Sequence, residues 1–215
     1  MLSQVYTGPI TVTDTADNTV LGYVSSGLNS FGEYGVVSTT TGALNVTFNE
    51  SSSPFNITLN SPANPSFNYF GGIQGFSSSS PNLDPGSYNY SYLGESNPTA
   101  PGATPSDPGN SFTAATGIPE DSESAIWSVD AATGELTPQW INTDSSSPVT
   151  YAEDITNILL LTGDPTAFQN EFGSATPIEF SIPAAPPATP EPSSFLLLGT
   201  GIVSLLGVAR RRLKA

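Results

Sequence analysis

The side chains of this sequence that could carry chemistry are almost all carboxylates. The chain has 19 Asp and Glu residues but only 4 Lys and Arg, and it contains neither His nor Cys. All basic residues lie at the C-terminal end, at Arg210, Arg211, Arg212 and Lys214. Residues 1–209 therefore cannot form a His-containing catalytic triad, a Cys nucleophile, a Lys Schiff base or a His-ligated metal site. What remains is acid–base chemistry between carboxyls, or calcium binding by oxygen ligands.

Three acidic clusters bring carboxylates close together in the sequence. They are Asp14 with Asp17, Glu120 with Asp121 and Glu123, and Glu153 with Asp154. The segment DTADN at 14–18 is similar to the start of a calcium-binding loop, but it lacks the Gly and the distal Glu that such a loop needs. We expect the clusters to lie in solvated turns and to bind no metal, with weak calcium binding as the alternative.

No local motif selects two of the 19 acids as a catalytic pair. A glycoside hydrolase needs two carboxyls about 5–10 Å apart, and residues 1–209 offer no Lys, Arg or His to orient a substrate. We predict that the protein is not an enzyme and that it has no catalytic or cofactor-binding residue. A carboxylate-based carbohydrate-active enzyme, such as a glycoside hydrolase, is the alternative.

The distribution of charge excludes one class of partner. The formal net charge is −15, and because every basic residue follows position 209, residues 1–209 carry −19. Nucleic-acid binding requires cationic side chains that neutralise phosphates. We therefore predict no nucleic-acid partner for this part of the chain, whose acidic surface favours solubility.

The composition predicts a mainly β fold. Hydrophobic residues make up 37% of the chain, and there are 20 Gly and 20 Pro residues, which suits short strands joined by many turns. Ten segments are predicted as strands: 10–15, 19–25, 34–38, 43–48, 55–60, 86–94, 125–130, 135–142, 155–162 and 178–182. Their spacing favours an antiparallel β-sandwich-like body over residues 1–182. The apolar run 155–162 is predicted as a central strand.

Two hairpins are predicted to supply core residues. In 43–48 and 55–60, apolar and polar residues alternate, so that one face of each strand is apolar. The apolar members are Leu44, Val46, Phe48, Phe55, Ile57 and Leu59. A second hairpin is predicted to turn at Gly134 and to place Trp127 and Trp140 in the core, with Pro138 at an edge or near a bulge.

Three tyrosines share one face of the segment 86–94. Tyr88, Tyr90 and Tyr92 alternate with small polar residues. An exposed row of rings would stack on sugars, whereas a packed row would cover the core or a neighbouring strand. We expect the packed arrangement, because tyrosines in strands usually pack.

One short helix interrupts the predicted strands. Asp164 suits the N-cap, Pro165 the first helical position and Gly173 the C-terminal stop, while Phe168 and Phe172 fall on one face. Residues 61–85 and 96–110 are rich in Pro, Gly, Asn and Ser and are predicted as loops. A subdivision of the body is therefore possible near 96–111.

The C-terminal residues have the pattern of a membrane anchor. A proline-rich stalk at 183–192 precedes FLLLGTGIVSLLGVA at 195–209, which has no charge. We predict a single hydrophobic membrane helix there, at the short end of the range for a span. The basic residues 210–214 would stay on the cytoplasmic side, with residues 1–192 on the other.

The order of these parts resembles a known sorting signal. Pro190, Glu191 and Pro192 precede the apolar segment 195–209 and the terminal basic cluster, and together residues 190–215 look like a PEP-CTERM protein-sorting signal. The resemblance implies an exported bacterial protein that is held transiently in the inner membrane and recognised by an exosortase. It also implies a bacterium that makes extracellular polysaccharide. It assigns no activity to residues 1–188.

The sequence thus predicts an exported bacterial cell-surface or extracellular-matrix protein of structural or interaction type. Its expected partners are an exosortase, the membrane and extracellular polysaccharide. A surface protein that keeps its anchor permanently is an alternative to the sorted form. Because MLSQVYTGPITV has neither a positive n-region nor an apolar h-region, we expect a secretory signal to be encoded in frame upstream of Met1.

Overall fold

The computed structural model describes residues 4–50 and 54–183, and these residues are mainly strand. The strands in chain order are β1 (Val5–Pro9), β2 (Thr11–Asp14), β3 (Val20–Leu28), β4 (Tyr34–Val37), β5 (Asn45–Asn49), β6 (Ile57–Leu59), β7 (Tyr69–Gln74), β8 (Tyr90–Ser96), β9 (Ser122–Glu123), β10 (Trp127–Val129), β11 (Glu135–Pro138), β12 (Tyr151–Ile155), β13 (Ile158–Thr162) and β14 (Thr176–Ser181). The helices are α1 (Ser111–Thr116), α2 (Pro165–Phe172) and a 3₁₀ turn at Thr40–Gly42. The predicted mainly β class is confirmed.

All fourteen strands described belong to one antiparallel sheet. Its order is β1-β5-β6-β7-β8-β13-β12-β14-β2-β3-β4, with β9 pairing β7 and β11 pairing both β10 and β14. The sheet curls so that its β4 end meets its middle. A bridge joins Glu33 to Gly94, and the Asn157 side chain accepts a 2.7 Å hydrogen bond from the Val36 amide. A single curled sheet therefore replaces the predicted sandwich-like arrangement.

Aromatic packing forms much of the core. Four rings contact one another in a row. The ring centroids of Tyr34 and Phe70 are 5.5 Å apart, those of Phe70 and Trp127 are 4.9 Å apart, and those of Trp127 and Phe180 are 5.9 Å apart. The Trp127 indole donates a 2.8 Å hydrogen bond to the Phe70 carbonyl. The predicted burial is confirmed for Trp127 and Trp140, and for the six apolar residues of the β5–β6 hairpin. The hairpin that turns at Gly134 also forms.

The predicted strand at 155–162 is two elements. Ile155 ends β12 and pairs with Ile158 at the start of β13. Thr156 and Asn157 between them have φ angles of 52° and 67°, as a tight two-residue hairpin turn requires. The central position of β13 is confirmed, because β8 and β12 pair with its two edges.

Two elements, β7 and α1, were not predicted from the sequence. Strand β7 was missed because Gly71 and Gly72 interrupt its apolar pattern. Helix α1 follows the segment 96–110, with Asn110 as its N-cap and Gly117 in the left-handed conformation at its end. The expectation of one short helix is therefore wrong, although α2 has the predicted caps at Asp164 and Gly173.

The predicted C-terminal features lie outside the described residues. These are the stalk at 184–192, the hydrophobic helix at 195–209 and the basic cluster. Among residues 4–50 and 54–183, no helix is long and apolar enough to cross a membrane. The described residues belong to one compact unit, which includes the segment 96–111.

Gly72 is predicted to be essential for packing against Trp140. A Cβ at this position would lie 2.7 Å from Cζ3 of Trp140, whose ring is fully buried and held by a 2.8 Å hydrogen bond to the Pro81 carbonyl. We expect Gly72→Ala to lower the free energy of unfolding by about 1–3 kcal/mol. Urea unfolding of the full chain in non-ionic micelles, followed by tryptophan fluorescence, measures this.

Gly27→Ala is the matched control, because nothing lies within 4 Å of a Cβ at this position of β3. Its effect on the free energy of unfolding should stay within about 0.5 kcal/mol. Equal destabilisation by the two substitutions would contradict the packing role of Gly72.

Candidate functional site

An open cleft of about 560 Å³ lies beside the β8 strand. We call it the aromatic cleft and define it by six lining residues: Phe31, Glu33, Phe76, Tyr92, Phe112 and Ile118. Three of its large apolar side chains are exposed to solvent, Phe31 by 56%, Phe76 by 57% and Ile118 by 38%. Exposed apolar side chains that converge on one concavity are typical of a binding site.

Glu33 is held in place by Asn29, which folds the loop between β3 and β4. The Asn29 side-chain oxygen accepts hydrogen bonds from the amides of Phe31 (2.9 Å) and Glu33 (3.1 Å). Its amide nitrogen donates a 2.7 Å hydrogen bond to Oε2 of Glu33. The loop also needs Gly32, which has a φ of 81° and no room for a Cβ beside the Ser111 carbonyl.

The rings of β8 and α1 form the inner wall of the cleft. Tyr92 stacks on Phe112 with centroids 5.5 Å apart, and its hydroxyl lies 2.9 Å from the hydroxyl of Tyr90. Tyr90 is buried against Phe168 and Phe172 of α2. The predicted packing of the tyrosines is therefore confirmed for Tyr90, whereas Tyr92 is only partly buried and lines the cleft.

The electrostatics of the cleft depend on one carboxyl. Glu33 is only 3% exposed, and burial raises its pKa, while the hydrogen bond from Asn29 opposes the rise. Burial also raises the pKa of Tyr92, as do its hydrogen bond to Tyr90 and the nearby Glu33. Among the residues that line the cleft, Glu33 is the only acid. This arrangement can accept hydrogen bonds or pair with a cation.

A second cleft, of about 400 Å³, contains more carboxyls. We call it the acidic cleft and define it by Glu135, Tyr151, Glu153, Gln169 and Glu179. Glu153 is buried, its Oε2 lies 3.5 Å from the Gln169 amide nitrogen, and burial raises its pKa. The described residues contain no group of three acidic side chains placed to hold a metal ion.

The predicted acidic clusters differ in their surroundings. Asp14 ends β2 and Asp17 lies in the turn that leads to β3. Asp14 accepts a hydrogen bond from the Ala16 amide (2.7 Å), and Asp17 accepts one from the Thr19 amide (2.9 Å). This matches the expected turn. Glu123 and Glu153 are buried in strands β9 and β12, so the expectation of solvated turns is wrong for both.

Glu123 is the most perturbed of the buried acids. Its Oε2 accepts a 3.1 Å hydrogen bond from the Ile141 amide, whereas Oε1 is buried without a hydrogen-bond partner. Burial raises the pKa of Glu123 to about 9, against the opposing effect of that hydrogen bond. The side chain is therefore protonated at neutral pH.

Sequence reasoning missed Glu33 and Glu95, which lie outside the acidic clusters. Glu95 is fully buried and accepts hydrogen bonds from the Tyr34 hydroxyl (2.9 Å) and from the amides of Ala63 (2.6 Å) and Asn64 (2.8 Å). The alternation of β8 could have revealed Glu95, because it shares a face with the buried Leu93. No comparable signal marks Glu33, whose burial depends on contacts with distant segments.

The predicted sorting residues lie outside the described residues. These are Pro190, Glu191, Pro192, Arg210, Arg211, Arg212 and Lys214. A family model for the PEP-CTERM protein-sorting motif matches residues 188–212. The resemblance of the C-terminus to this signal is thereby confirmed, and the chain carries the tail of an exported protein that an exosortase sorts. Neither a search of curated proteins nor a search of solved structures found a match.

The buried Glu123 predicts a loss of stability as the pH rises. An unfolded Glu releases its proton near pH 4.5, but the native side chain keeps it up to about 9. Between these values unfolding releases a proton, so the free energy of unfolding falls as pH rises, by at most about 1.4 kcal/mol per pH unit from this group. Glu123→Gln should reduce that slope in urea unfolding series across this range.

Glu171→Gln removes a charge from the exposed side of α2 and is the control for this measurement. It should leave the slope of the wild-type chain unchanged. A Glu123→Gln variant with the wild-type slope would show that Glu123 ionises normally in the native state.

Proposed function

We propose that this protein is a cell-surface or extracellular-matrix component of structural or interaction type, with the aromatic cleft as its binding surface. The observation that carries the proposal is the convergence of Phe31, Phe76 and Ile118, all exposed, around the buried Glu33. Large apolar side chains exposed at one concavity mark an interaction site, and a ligand that covers them removes apolar surface from water. The sorting motif supplies a route to the surface.

The cleft favours binding over hydrolysis. Glycoside hydrolysis uses two carboxyls on either side of the scissile bond, and the aromatic cleft offers one. The alternative enzyme would use the acidic cleft, where the pKa of the buried Glu153 is raised as a general acid requires. Oligosaccharide hydrolysis by the wild-type chain that is lost in Glu153→Gln would support this alternative.

The interaction role predicts retention of a glycan by the wild-type chain. An array of bacterial and plant polysaccharides, probed with the full chain in non-ionic micelles, tests this directly. We expect binding to at least one glycan class and weaker binding by Phe76→Ala, whose side chain is 57% exposed and lies outside the buried core. Failure to bind any glycan would leave a structural matrix role or a protein partner.

We further propose that the anchor at 195–209 is transient, with residues 210–214 on the cytoplasmic side and the body outside. Replacing Pro190, Glu191 and Pro192 with Ala in a host that has an exosortase should keep the full-length chain in the membrane fraction. Mass spectrometry of the C-terminus measures this. The wild-type chain should lack the tail beyond the motif.

Replacing Pro186 and Pro187 with Ala is the control, because both precede the matched residues 188–212. This variant should be processed like the wild type. A wild-type chain that keeps Ala215 at the surface would instead support the permanently anchored alternative.

A further inference from the structure

Glu33 is a buried carboxyl that has no cationic neighbour among residues 4–50 and 54–183. Residues 1–209 contain no Lys, Arg or His, so no side chain of the body can form an ion pair with Glu33. The neutral side-chain amide of Asn29 donates a hydrogen bond to Oε2 of Glu33. Ionising a carboxyl among aromatic rings is costly unless a positive charge accompanies it. A ligand that enters this cleft can supply that charge.

The rings around Glu33 are arranged to contact such a ligand. Phe31 and Phe76 keep more than half of their surface in solvent, so their faces are available at the mouth of the cleft. Tyr92 and Phe112 cover each other on one side by stacking and form the inner wall. Aromatic faces attract cations and also pack against apolar C–H groups.

We propose that the aromatic cleft binds a sugar residue with a free, protonated amine, whose ammonium group pairs with Glu33 while the rings pack on its C–H face. This inference rests on the proposed interaction function and specifies the chemistry of the ligand. The volume of about 560 Å³ lies within the range of small-molecule sites. The open mouth leaves the remaining hydroxyls of the sugar in water.

A neutral sugar fits the cleft less well than an amino sugar. Besides Glu33 and the Tyr92 hydroxyl, the polar side chains that line the cleft are Ser30 and Thr116. The Tyr92 hydroxyl is already bonded to Tyr90. Few groups are therefore left to replace the water lost by several hydroxyls, whereas an ammonium group gains a charge-assisted bond to one carboxylate.

Charge complementarity also favours an amine. Residues 1–209 carry a formal charge of −19, which repels acidic polymers and attracts polymers that carry amines. Attraction of amines by the acidic surface as a whole lacks specificity. The decisive property is therefore whether Glu33 makes the cleft prefer an amino sugar over a neutral sugar. Tyr92 is the titratable group that faces Glu33 across the cleft, and burial raises the pKa of both side chains.

Three tetrasaccharides of the same linkage test the proposal: glucosamine, N-acetylglucosamine and glucose. They differ only in an amine, an acetamide or a hydroxyl at one carbon. Isothermal titration uses the full chain in micelles of a polyoxyethylene detergent, which has neither amine nor sugar. About 0.15 M salt limits attraction by distant charges, because the Debye length is then about 8 Å. We expect the glucosamine tetramer to bind about tenfold more tightly than the other two.

Two variants separate the cleft from the overall charge. Glu33→Gln should abolish the preference for the amine, since a neutral amide cannot pair with an ammonium group. Glu171→Gln removes one charge from α2 and should keep the preference. Phe76→Ala should weaken binding of all three ligands, because it removes an exposed ring. In buffers of different ionisation enthalpy, any proton that Glu33 releases on binding the amine should be detected with the wild type and with Glu171→Gln, and it should be absent with Glu33→Gln.

Equal affinity for the three tetramers, binding of none, or a preference for the amine that survives in Glu33→Gln would each overturn the inference. These outcomes differ from failure of the proposed function. Tight binding of a neutral tetramer would overturn the amine specificity while supporting the interaction role. Failure of polysaccharide binding as such would appear as a glycan array without any retained glycan.

Discussion

The structure depends on one electrostatic constraint, the absence of any cationic side chain from residues 1–209. Buried carboxyls normally pair with Lys, Arg or His, and here none is available. Glu95 meets the constraint with three neutral donors, a tyrosine hydroxyl and two backbone amides. Glu123 meets it by keeping its proton. Glu33 and Glu153 each have one side-chain amide donor and border a cleft. Glu33 differs in that exposed aromatic rings surround it.

The same constraint explains why aromatic packing is prominent. Without ion pairs, the curled sheet is held by backbone ladders, short polar caps and rings that contact one another across strands. The series from Tyr34 to Phe180 runs through the core, and a second series runs from Phe112 through Tyr92 and Tyr90 to α2. Phe112 and Tyr92, at one end of this second series, line the aromatic cleft. The rings of the cleft therefore continue the packing that holds α1 and α2 to the sheet.

Much of the fold could be predicted from local patterns. The alternation in β5 and β6 identified six buried side chains, and Asp164, Pro165 and Gly173 identified α2, because both signals depend only on neighbouring residues. Strand β7 escaped prediction since Gly71 and Gly72 replace the apolar side chains that a strand normally shows. Their role becomes clear only where Gly72 lies against Trp140. The turn at Thr156–Asn157 was also missed, because it lies within an apolar run. The pairing of β12 with β13 defines this turn, and composition does not reveal it.

The amino-acid sequence by itself determined the mainly β fold class, the sorting signal and the side-chain chemistry open to residues 1–209. Sorting is encoded in a short contiguous stretch, and the lack of cations is a property of composition, so neither needs a fold to be recognised. Only the tertiary structure decided which carboxyls are buried and which rings surround them. Glu33 lies 59 positions from Tyr92 and 79 from Phe112 in the chain. No local pattern links residues so far apart, because curling of the sheet is what brings them to one cleft.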